Sequence, residues 1–533
     1  MGTTRVDART RSHWGKAAVF AALLGAAAAV TLLAPGSASA APPATGCDSG
    51  TAVGPTQTKY VCNIPTGTIG GYEVRQWYDF DPPTPPQDGY ITHMETDIVD
   101  DVTGEPVPIS RLMLHHIVFL NLNRQDATCA GQGYTGFDGR KSFGTIAPQR
   151  FYAAGEERAK FTMPPGYGYR TEQSDNWAVV AMVMNHRAAL DHALIHYEVT
   201  VDSSPLTAVE PYWLDVRDCR SDPIYNVPSV AKKAKKSKKN RKGAKAEVAK
   251  KQKKGKKKKR KKRAAPPTLN ETRDYVFPES GRLIGGAGHV HGGAVGLKLT
   301  QPNCGNRQVA DSVPTWGLPD HPFYNVRPIL HEPGPINMSA FGSTTGLPIH
   351  AGETIRLNSI YDNSLPHVRV MGILVAYLAP DATVTQDCGP VPNWGILRTN
   401  QPGRSGPIPF TIPLIGLDAG GQATEIKAPP GAIQNAGRNT VVPVGDRFFG
   451  APNLRVKQGS WLTWQFNGSE LHNVTTANGP LGIGTDNLDG GRTFTQKLNR
   501  PGTYRLFCAL HPVQMQERVI VTPKKKHKEK KKR

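Results

Sequence analysis

The chain has 533 residues, too many for one hydrophobic core, which predicts roughly two to four domains. Its 55 Gly and 45 Pro, without a long heptad pattern, favour an all-β protein rich in turns. The net charge of +22 would suggest nucleic-acid binding, but residues 231–263 and 524–533 contribute +20 and +7. The rest of the chain carries −5, so we expect no specific nucleic-acid partner.

Residues 1–40 predict a signal peptide for export. Several basic residues precede the apolar run 17–33, and the small residues 38–40 supply a cleavage site before Ala41. A membrane anchor is the alternative, although the run is slightly short for a span. We therefore expect a secreted or extracytoplasmic protein.

Seven cysteines in an exported chain predict disulfide bonds with one thiol left over. Cys508 is the cysteine with a metal-site context, which leaves six to pair. Several connectivities are open, and proximity along the chain favours Cys47–Cys62, Cys129–Cys219 and Cys304–Cys388.

A short leader, 41–56, precedes the first region of alternating strands and turns. Apolar runs bounded by Gly, Pro and Asp predict a β-sandwich over 57–228, with strands at 89–95, 113–121, 177–186 and 193–201. Strands resume over 267–384, which predicts a second sandwich, and a connector over 385–438 leads to a third at 439–523.

The Lys-rich insert, residues 229–266, separates the first two predicted sandwiches. It holds too little apolar side chain to fold, so we expect disorder there and in the basic tail, 524–533. Two interpretations stay open for these segments. They attach the protein to an anionic cell-surface polymer or lipid, or they are solvated linkers.

Four residues near the C-terminus predict a type 1, or blue, copper centre. The set joins one thiolate, two imidazoles and one thioether: His472, Cys508, His511 and Met515. Thiolate with imidazole selects copper over harder ions, and a Met is the usual weak axial ligand. The alternative is a metal-free immunoglobulin-like domain with Cys508 and Met515 in its core.

This pattern resembles the plastocyanin-like and amicyanin-like cupredoxins, with all four ligand positions matched. The resemblance implies a Greek-key β-sandwich over 439–523 that transfers electrons and has no substrate of its own. It also implies an electron donor, either a small reductant or a redox protein, and an electron acceptor.

Upstream histidines fall into two further groups. One is His115, His116 and His186; the other is His289 and His291, which share a strand face, with Met371 on another strand. Three imidazoles suit a copper that passes electrons, and two with a thioether suit a copper open to oxygen. Adjacent histidines point to opposite faces of a regular strand, so His115 and His116 can bind one metal only near a bulge or a strand end. A structural histidine pair and a Met371 that only fills the core are the alternatives.

The order of these ligands resembles the copper type II, ascorbate-dependent monooxygenases, the family of peptidylglycine α-hydroxylating monooxygenase and dopamine β-monooxygenase. The resemblance covers about 60–380 and implies two jelly-roll-like β-sandwiches. It assigns electron-transfer copper to the first group and catalytic, oxygen-binding copper to His289, His291 and Met371. Peptide-amidating members have an Arg where Ala287 stands, so a glycine-extended peptide is a poor substrate.

We therefore expect an exported, copper-dependent, monooxygenase-like oxidoreductase with one type 1 copper and two further coppers in its core. The C-terminal domain would feed electrons to a core that hydroxylates a C–H bond of a small molecule or peptide with O₂. The alternative is a non-enzymatic protein that transfers electrons or holds copper. The remaining histidines have no metal motif, although His367 shares parity with Met371; the others considered are His93, His196, His321, His331 and His350.

Overall fold

The computed structural model describes residues 43–129, 133–137, 139–142, 147–217, 219–230, 267–318, 332–397, 403–404, 415–418 and 422–524. The predicted signal peptide, the Lys-rich segment 231–263, His321, His331 and the basic tail beyond Lys524 lie outside these residues. Within them, no helix is both long and apolar enough to cross a membrane.

The first sandwich packs two sheets around one apolar core. Its strands are β1 (Gly46–Cys47), β2 (Thr51–Ala52), β3 (Gln57–Pro65), β4 (Val74–Asp79), β5 (Gly89–Val99), β6 (Leu112–Gln125), β7 (Tyr134–Thr135), β8 (Lys141–Ser142), β9 (Pro148–Gly155), β10 (Lys160–Thr162), β11 (Tyr167–Thr171), β12 (Trp177–Asn185), β13 (Leu194–Asp202) and β14 (Thr207–Ala208). The larger sheet has the order β1-β3-β13-β5-β11-β14, and the smaller one β4-β12-β6-β9. The strands of these sheets pair antiparallel except for β11 with β14.

The second sandwich has the sheets β15-β26-β18-β23-β27 and β17-β24-β19-β20. The strands from β15 to the connector are β15 (Glu210–Asp215), β16 (Tyr225–Val227), β17 (Thr268–Val276), β18 (Gly281–Val290), β19 (Ala294–Gln301), β20 (Arg307–Ser312), β21 (Pro314–Gly317), β22 (Asn337–Met338), β23 (Ala340–Ile349), β24 (Thr354–Asp362), β25 (His367–Val370), β26 (Gly372–Pro380), β27 (Gly395–Leu397), β28 (Gly403–Arg404), β29 (Ile415–Leu417) and β30 (Ala423–Glu425). A short 3₁₀ helix, Pro302–Cys304, follows β19.

The C-terminal sandwich has the sheets β31-β34-β39-β38-β36 and β33-β32-β35-β37. Its strands are β31 (Gln434–Asn435), β32 (Asn439–Gly445), β33 (Phe448–Phe449), β34 (Asn453–Lys457), β35 (Ser460–Phe466), β36 (Thr475–Asn478), β37 (Thr493–Leu498), β38 (Gly502–Phe507) and β39 (Gln516–Thr522). The predicted all-β class is confirmed, because strands dominate the described residues and pack as β-sandwiches.

The second sandwich begins earlier in the chain than composition indicates. β15 pairs with β26 over its whole length and β16 pairs with β25, although both precede the Lys-rich insert. The break in composition therefore falls inside the second sandwich, between β16 and β17. Buried Arg150 of β9 links the first two sandwiches, since it bonds Asp126 at 2.7 Å and lies 3.8 Å from Asp215 of β15.

Every residue of β12 is buried, in agreement with its continuous apolar sequence. A strand of an antiparallel sheet with one solvated face would alternate polar and apolar residues, so both faces of β12 must be covered. Ala181 and Val183 pack in the core of the first sandwich, whereas Met182 and Met184 pack with the C-terminal sandwich. The end of β12 thus lies between two hydrophobic cores.

Three disulfide bonds join Cys47 to Cys62, Cys129 to Cys219 and Cys304 to Cys388, and Cys508 is a free, buried thiol. The pairing favoured by proximity along the chain is therefore confirmed. Each bond closes a loop within the unfolded chain and lowers its entropy, which stabilises the folded state.

A pH-dependent contribution to stability is expected from Glu517 in the C-terminal core. Burial raises the pKa of Glu517 to about 8, despite the hydrogen bond that Trp464 Nε1 donates to its carboxylate at 2.8 Å. The folded state holds this proton more tightly than the unfolded chain does, so the stabilisation is complete below the ordinary pKa of 4.5 and is lost as the pH rises towards 8.

Glu517→Gln should therefore remove this dependence, because Gln cannot ionise and still accepts from Trp464. Calorimetry would measure the melting temperatures of the wild type and the variant. The melting temperature of the variant relative to that of the wild type should be higher at about pH 8 than at about pH 5. An equal difference at both pH values would contradict the assignment.

Candidate metal centres

The C-terminal site is built where strand ends of one sheet meet. His472 lies before β36, Cys508 follows β38, and Met515 precedes β39. Backbone hydrogen bonds close the loop between the last two strands: Cys508 N donates to Met515 O at 3.1 Å, and Met515 N donates to His511 O at 2.9 Å. The loop therefore holds three of the four predicted ligands in a fixed turn.

The donor atoms of this site converge. His472 Nδ1 lies 3.2 Å from His511 Nδ1, and Cys508 Sγ lies 4.0 Å and 3.8 Å from these two nitrogens. Metal bonds of about 2.0 Å to nitrogen and about 2.3 Å to sulfur separate such donors by roughly 3.2–3.8 Å. The spacing therefore fits a single metal ion. Met515, the predicted axial ligand, is fully buried and belongs to the same hydrophobic core as Cys508.

Burial keeps the imidazoles of this site neutral. It lowers the pKa of His511 to about 4, with His472 adding to the effect, and it lowers the pKa of His472 as well. Burial also raises the pKa of the Cys508 thiol, which the backbone amide of Asn473 partly offsets by donating to Sγ at 3.4 Å. Neutral imidazoles are ready to bind metal, whereas the thiol needs the metal charge to lose its proton.

Two carboxylates orient the histidines from outside. Asp446 Oδ1 lies 3.3 Å from His472 Nε2, and Glu470 Oε2 lies 3.3 Å from His511 Nε2. Each carboxylate favours the tautomer with its proton on Nε2, so both Nδ1 lone pairs point at Cys508.

One curated relative matches this chain in sequence, Amicyanin-alpha of Methylorubrum extorquens. It is 36% identical over 95 residues, which is 17% of this chain and 78% of the relative. Residues 434–522, the C-terminal sandwich, have the corresponding size and carry the Cys508 loop. Through this sandwich the chain belongs to the amicyanin family.

Solved structures give similar matches. The reduced state of an amicyanin variant is 26% identical and covers 15% of this chain and 80% of that one, with a TM-score of 0.15. A purple cupredoxin of Nitrosopumilus maritimus is 24% identical, with 15% and 96% covered and a TM-score of 0.14. No protein-family model matches the chain. A reduced Cu(I) form of another amicyanin variant is 26% identical and covers 16% of this chain and 85% of that one, with a TM-score of 0.15.

A β-bulge in β6 brings the adjacent histidines of the core together. His116 pairs with Met182 of β12, but Val183 pairs with Leu114, so His115 is the extra residue. The two rings meet with Nδ1 atoms 3.0 Å apart, and both side chains are buried. Burial lowers the pKa of His116 to about 3, which keeps this ring neutral.

His289 and His291 form a second facing pair, at the end of β18. Their Nε2 atoms lie 3.2 Å apart, and His289 Nδ1 lies 2.9 Å from Glu157 Oε2. Burial works against the charged form of His289, but the Glu157 carboxylate outweighs it, so the pKa of His289 is raised. The carboxylate also fixes the tautomer that leaves Nε2 free for a metal.

The two pairs meet across the boundary between the first two sandwiches. The ring centroids of His115 and His291 are 4.9 Å apart and nearly perpendicular. Gly155 of β9 makes room for this approach, since a Cβ atom there would lie 2.7 Å from His289 Cε1. The structure thus brings His115, His116, His289 and His291 into one four-histidine cluster, where the sequence indicated two sets.

The other two predicted core ligands are His186 and Met371, and both are buried. His186 is buried one residue beyond β12, on the same face parity as Met182, and its backbone N donates to Arg111 O at 3.2 Å. Met371 is buried, and Tyr361 ties it to the second pair: Tyr361 Oη donates to Met371 O at 2.6 Å and accepts from His291 N at 2.9 Å. The structure therefore places Met371 near His291.

Sequence reasoning missed the polar residues that support the cluster. Neither Glu157 nor Tyr361 belongs to a sequence motif. The feature that could have indicated Glu157 is the pair of adjacent acidic residues, 156–157, directly after an apolar strand. His367 is buried and lies 2.5 Å from Glu332 Oε2 through Nδ1, so it has a carboxylate partner as well. His93, His196 and His350 bond Thr162, Asn63 and Asp387 respectively, which agrees with structural roles.

Glu157→Gln should weaken metal binding at the core cluster, because the neutral amide holds the His289 tautomer less firmly. We expect copper affinity there to fall roughly 10–100-fold, the range for loss of such outer-shell partners. Competition with a coloured chelator would measure it, and the type 1 absorption band would report the other centre independently. Glu198→Gln, which loses the surface pair with Lys59, is the control. Equal affinity in both variants would contradict the role given to Glu157.

Proposed function

We propose that this chain is an exported copper oxidoreductase in which the amicyanin-like sandwich passes electrons to copper held by the histidines of the core. Copper in the core would supply the activation of O₂ for hydroxylation of a substrate C–H bond. The packing of the C-terminal copper loop against the first sandwich is the observation that carries this proposal.

Apolar residues around the C-terminal site share one hydrophobic core with the first sandwich. Leu510 of the copper loop belongs to the same cluster as Met113, Met182 and Met184 of the first sandwich, and Leu471 packs against it. Met182 is the cross-strand neighbour of His116. The loop that holds the type 1 ligands and the sheet that carries the core histidines therefore contribute side chains to one hydrophobic cluster.

Polar contacts also hold the C-terminal sandwich against the segment from β15 to β16 of the second sandwich. Arg220 pairs with Asp486 at 3.2 Å, and Asn226 Nδ2 donates to Gly484 O at 2.7 Å. Attachment within one chain gives a carrier an effective concentration at its acceptor on the order of millimolar. A freely diffusing carrier would have to be present at that concentration to meet the acceptor as often. This supports transfer inside the molecule as the task of the C-terminal sandwich.

Within the core, the residues themselves suggest a division of roles. His116 is the cross-strand partner of Met182, which packs with the C-terminal sandwich, so we assign reception of the electron to the predicted His115, His116 and His186 set. His289, His291 and Met371 belong to the second sandwich. Glu157 bonds the His289 ring, and Tyr361 bonds the backbone of both His291 and Met371. Gly372 and Ile373 follow Met371 and offer no charged group to a substrate, so a neutral substrate is favoured.

A second candidate function has its own support. His115, His116 and His291 are each at most 5% exposed, and the rings of His115 and His291 are in contact. So closed a cluster also suits a protein that stores copper or only passes electrons, without a substrate. Export is proposed for either function, in keeping with the three disulfide bonds.

Copper content separates the two candidates from a protein with only the type 1 centre. The mature protein loaded with copper should hold three ions per chain, with type 2 resonance signals beside the blue absorption band. Elemental analysis and electron paramagnetic resonance would measure both. One copper with only the blue band would refute a metal site in the core.

Met371→Leu tests the oxygenase role directly. Leu conserves volume in the buried site, so the fold should persist at a cost below about 1.5 kcal/mol, but it offers no thioether to a metal. We expect reductant-dependent oxygen uptake to be lost while the blue band stays. Full uptake in the variant would exclude Met371 from the oxygen site. Met338→Leu, another buried methionine of the second sandwich, controls for the loss of sulfur alone.

A further inference from the structure

Three residues form a row across the smaller sheet of the first sandwich. Gln76 of β4 and His116 of β6 are both direct partners of Met182 in the strand between them. Directly opposed residues of antiparallel strands project from the same face. Neighbouring strands are about 4.8 Å apart, so the row spans roughly 10 Å from Gln76 to His116. On the next strand, β9, the partner of His116 is Gly155, and the His289 ring packs against Gly155.

The row begins at a hydrogen bond from the amicyanin-like sandwich. Asn487 Nδ2 donates to Gln76 Oε1 at 3.0 Å, and Gln76 Nε2 donates to Met182 Sδ at 3.3 Å. The Gln76 amide accepts at Oε1 and donates at Nε2, whereas a carboxylate lacks the donor and an aliphatic side chain lacks both. Gln76 thus connects the two sandwiches through both ends of its side chain.

Asn487 is in turn connected to the predicted thiolate ligand. Its Oδ1 accepts from Asn473 Nδ2 at 2.9 Å and from Arg369 Nη2 at 3.3 Å, which fixes the amide so that Nδ2 points at Gln76. Asn473 donates its backbone N–H to Cys508 Sγ at 3.4 Å. Asn473, Asn487, Met182 and His116 are all buried. A continuous path of hydrogen bonds and strand contacts therefore runs from Cys508 to the core cluster.

We propose that this path, Cys508–Asn473–Asn487–Gln76–Met182–His116, is the route of electron transfer between the two centres, and that Gln76 is the positioning residue that completes it. The inference rests on the proposed function and adds the route. With copper held by the Cys508 loop and by the His115 and His116 pair, one electron would pass along this path from Cu(I) at the first centre to Cu(II) at the second. An external reductant then restores the first centre, so electrons balance.

Gln76→Leu in the full, copper-loaded chain tests the route. The C-terminal centre is reduced by a short pulse, and the return of its blue absorption band gives the rate of internal transfer. We expect the rate to fall roughly tenfold, the lower end of the effect of losing an outer-shell hydrogen bond at a metal site. Gln76→Glu keeps the acceptor for Asn487 but loses the donor to Met182, so it should also be slower than wild type.

Matched controls separate the route from docking. Arg220→Gln removes an interdomain ion pair with Asp486, which directly precedes Asn487 but is not on the path, and should leave the rate unchanged. Hydrogen exchange of the copper-free proteins should show β4 and the segment around Asn487 equally protected in wild type and Gln76→Leu. If Gln76→Leu loses this protection, Met182→Leu takes its place, because it conserves volume and removes only the sulfur.

The outcomes are distinct. A rate in docked Gln76→Leu, or in Met182→Leu, equal to that of wild type overturns the route while the proposed function stands. An equal slowing by Arg220→Gln also overturns it, because docking alone would then set the rate. Absence of transfer in the wild type overturns the proposed function itself.

Discussion

Met113, Met182 and Met184 share one hydrophobic core with Leu510 of the C-terminal copper loop. Burial of a methionine contributes roughly 1.5–3 kcal/mol, so three of them hold the sandwiches together firmly. Methionine is unbranched and adapts its shape to an irregular partner surface. Because the same sheet face carries Gln76 and His116, this contact sets the distance between the Cys508 loop and the core histidines as well as the arrangement of the domains.

The core cluster depends on two local departures from regular structure. The bulge at His115 turns a residue that would face away from His116 into its neighbour, with the nitrogens 3.0 Å apart. Gly155 leaves the space into which the His289 ring projects from the second sandwich. A side chain at 155 or a regular β6 would separate the four rings, so the backbone of the first sandwich shapes a site that two sandwiches share.

The sequence predicted the types of structural element well, but it predicted poorly the contacts between elements that are far apart in the chain. The ligand spacing of the Cys508 loop is local, and a short loop between two strands allows few geometries, so the convergence of Cys508 and His511 followed from the pattern. The disulfide pairing followed from proximity in the chain.

The contact of His115 with His291 joins residues about 175 positions apart, and no periodicity encodes how two sandwiches dock. The Lys-rich insert also misled the domain assignment. Composition marks where a chain cannot fold, and this break falls within a domain rather than between two. Gln76 carried no signal at all, because its role exists only once Asn487 of a distant segment lies beside it.

Docking inside the chain changes how an external donor can reach the C-terminal centre. The apolar residues near the ligands are covered by the first sandwich, so they are closed to a transient partner. The side chain of His511 retains 18% exposure, and beside it stand Glu470 and Arg447, both more exposed. A donor would therefore meet charged groups rather than an apolar patch. Electron entry at a charged rim is sensitive to ionic strength, whereas onward transfer through buried residues is not. In the proposed scheme, the C-terminal sandwich would present a polar, exposed rim to the donor and an apolar face to the first sandwich, which would hold its acceptor.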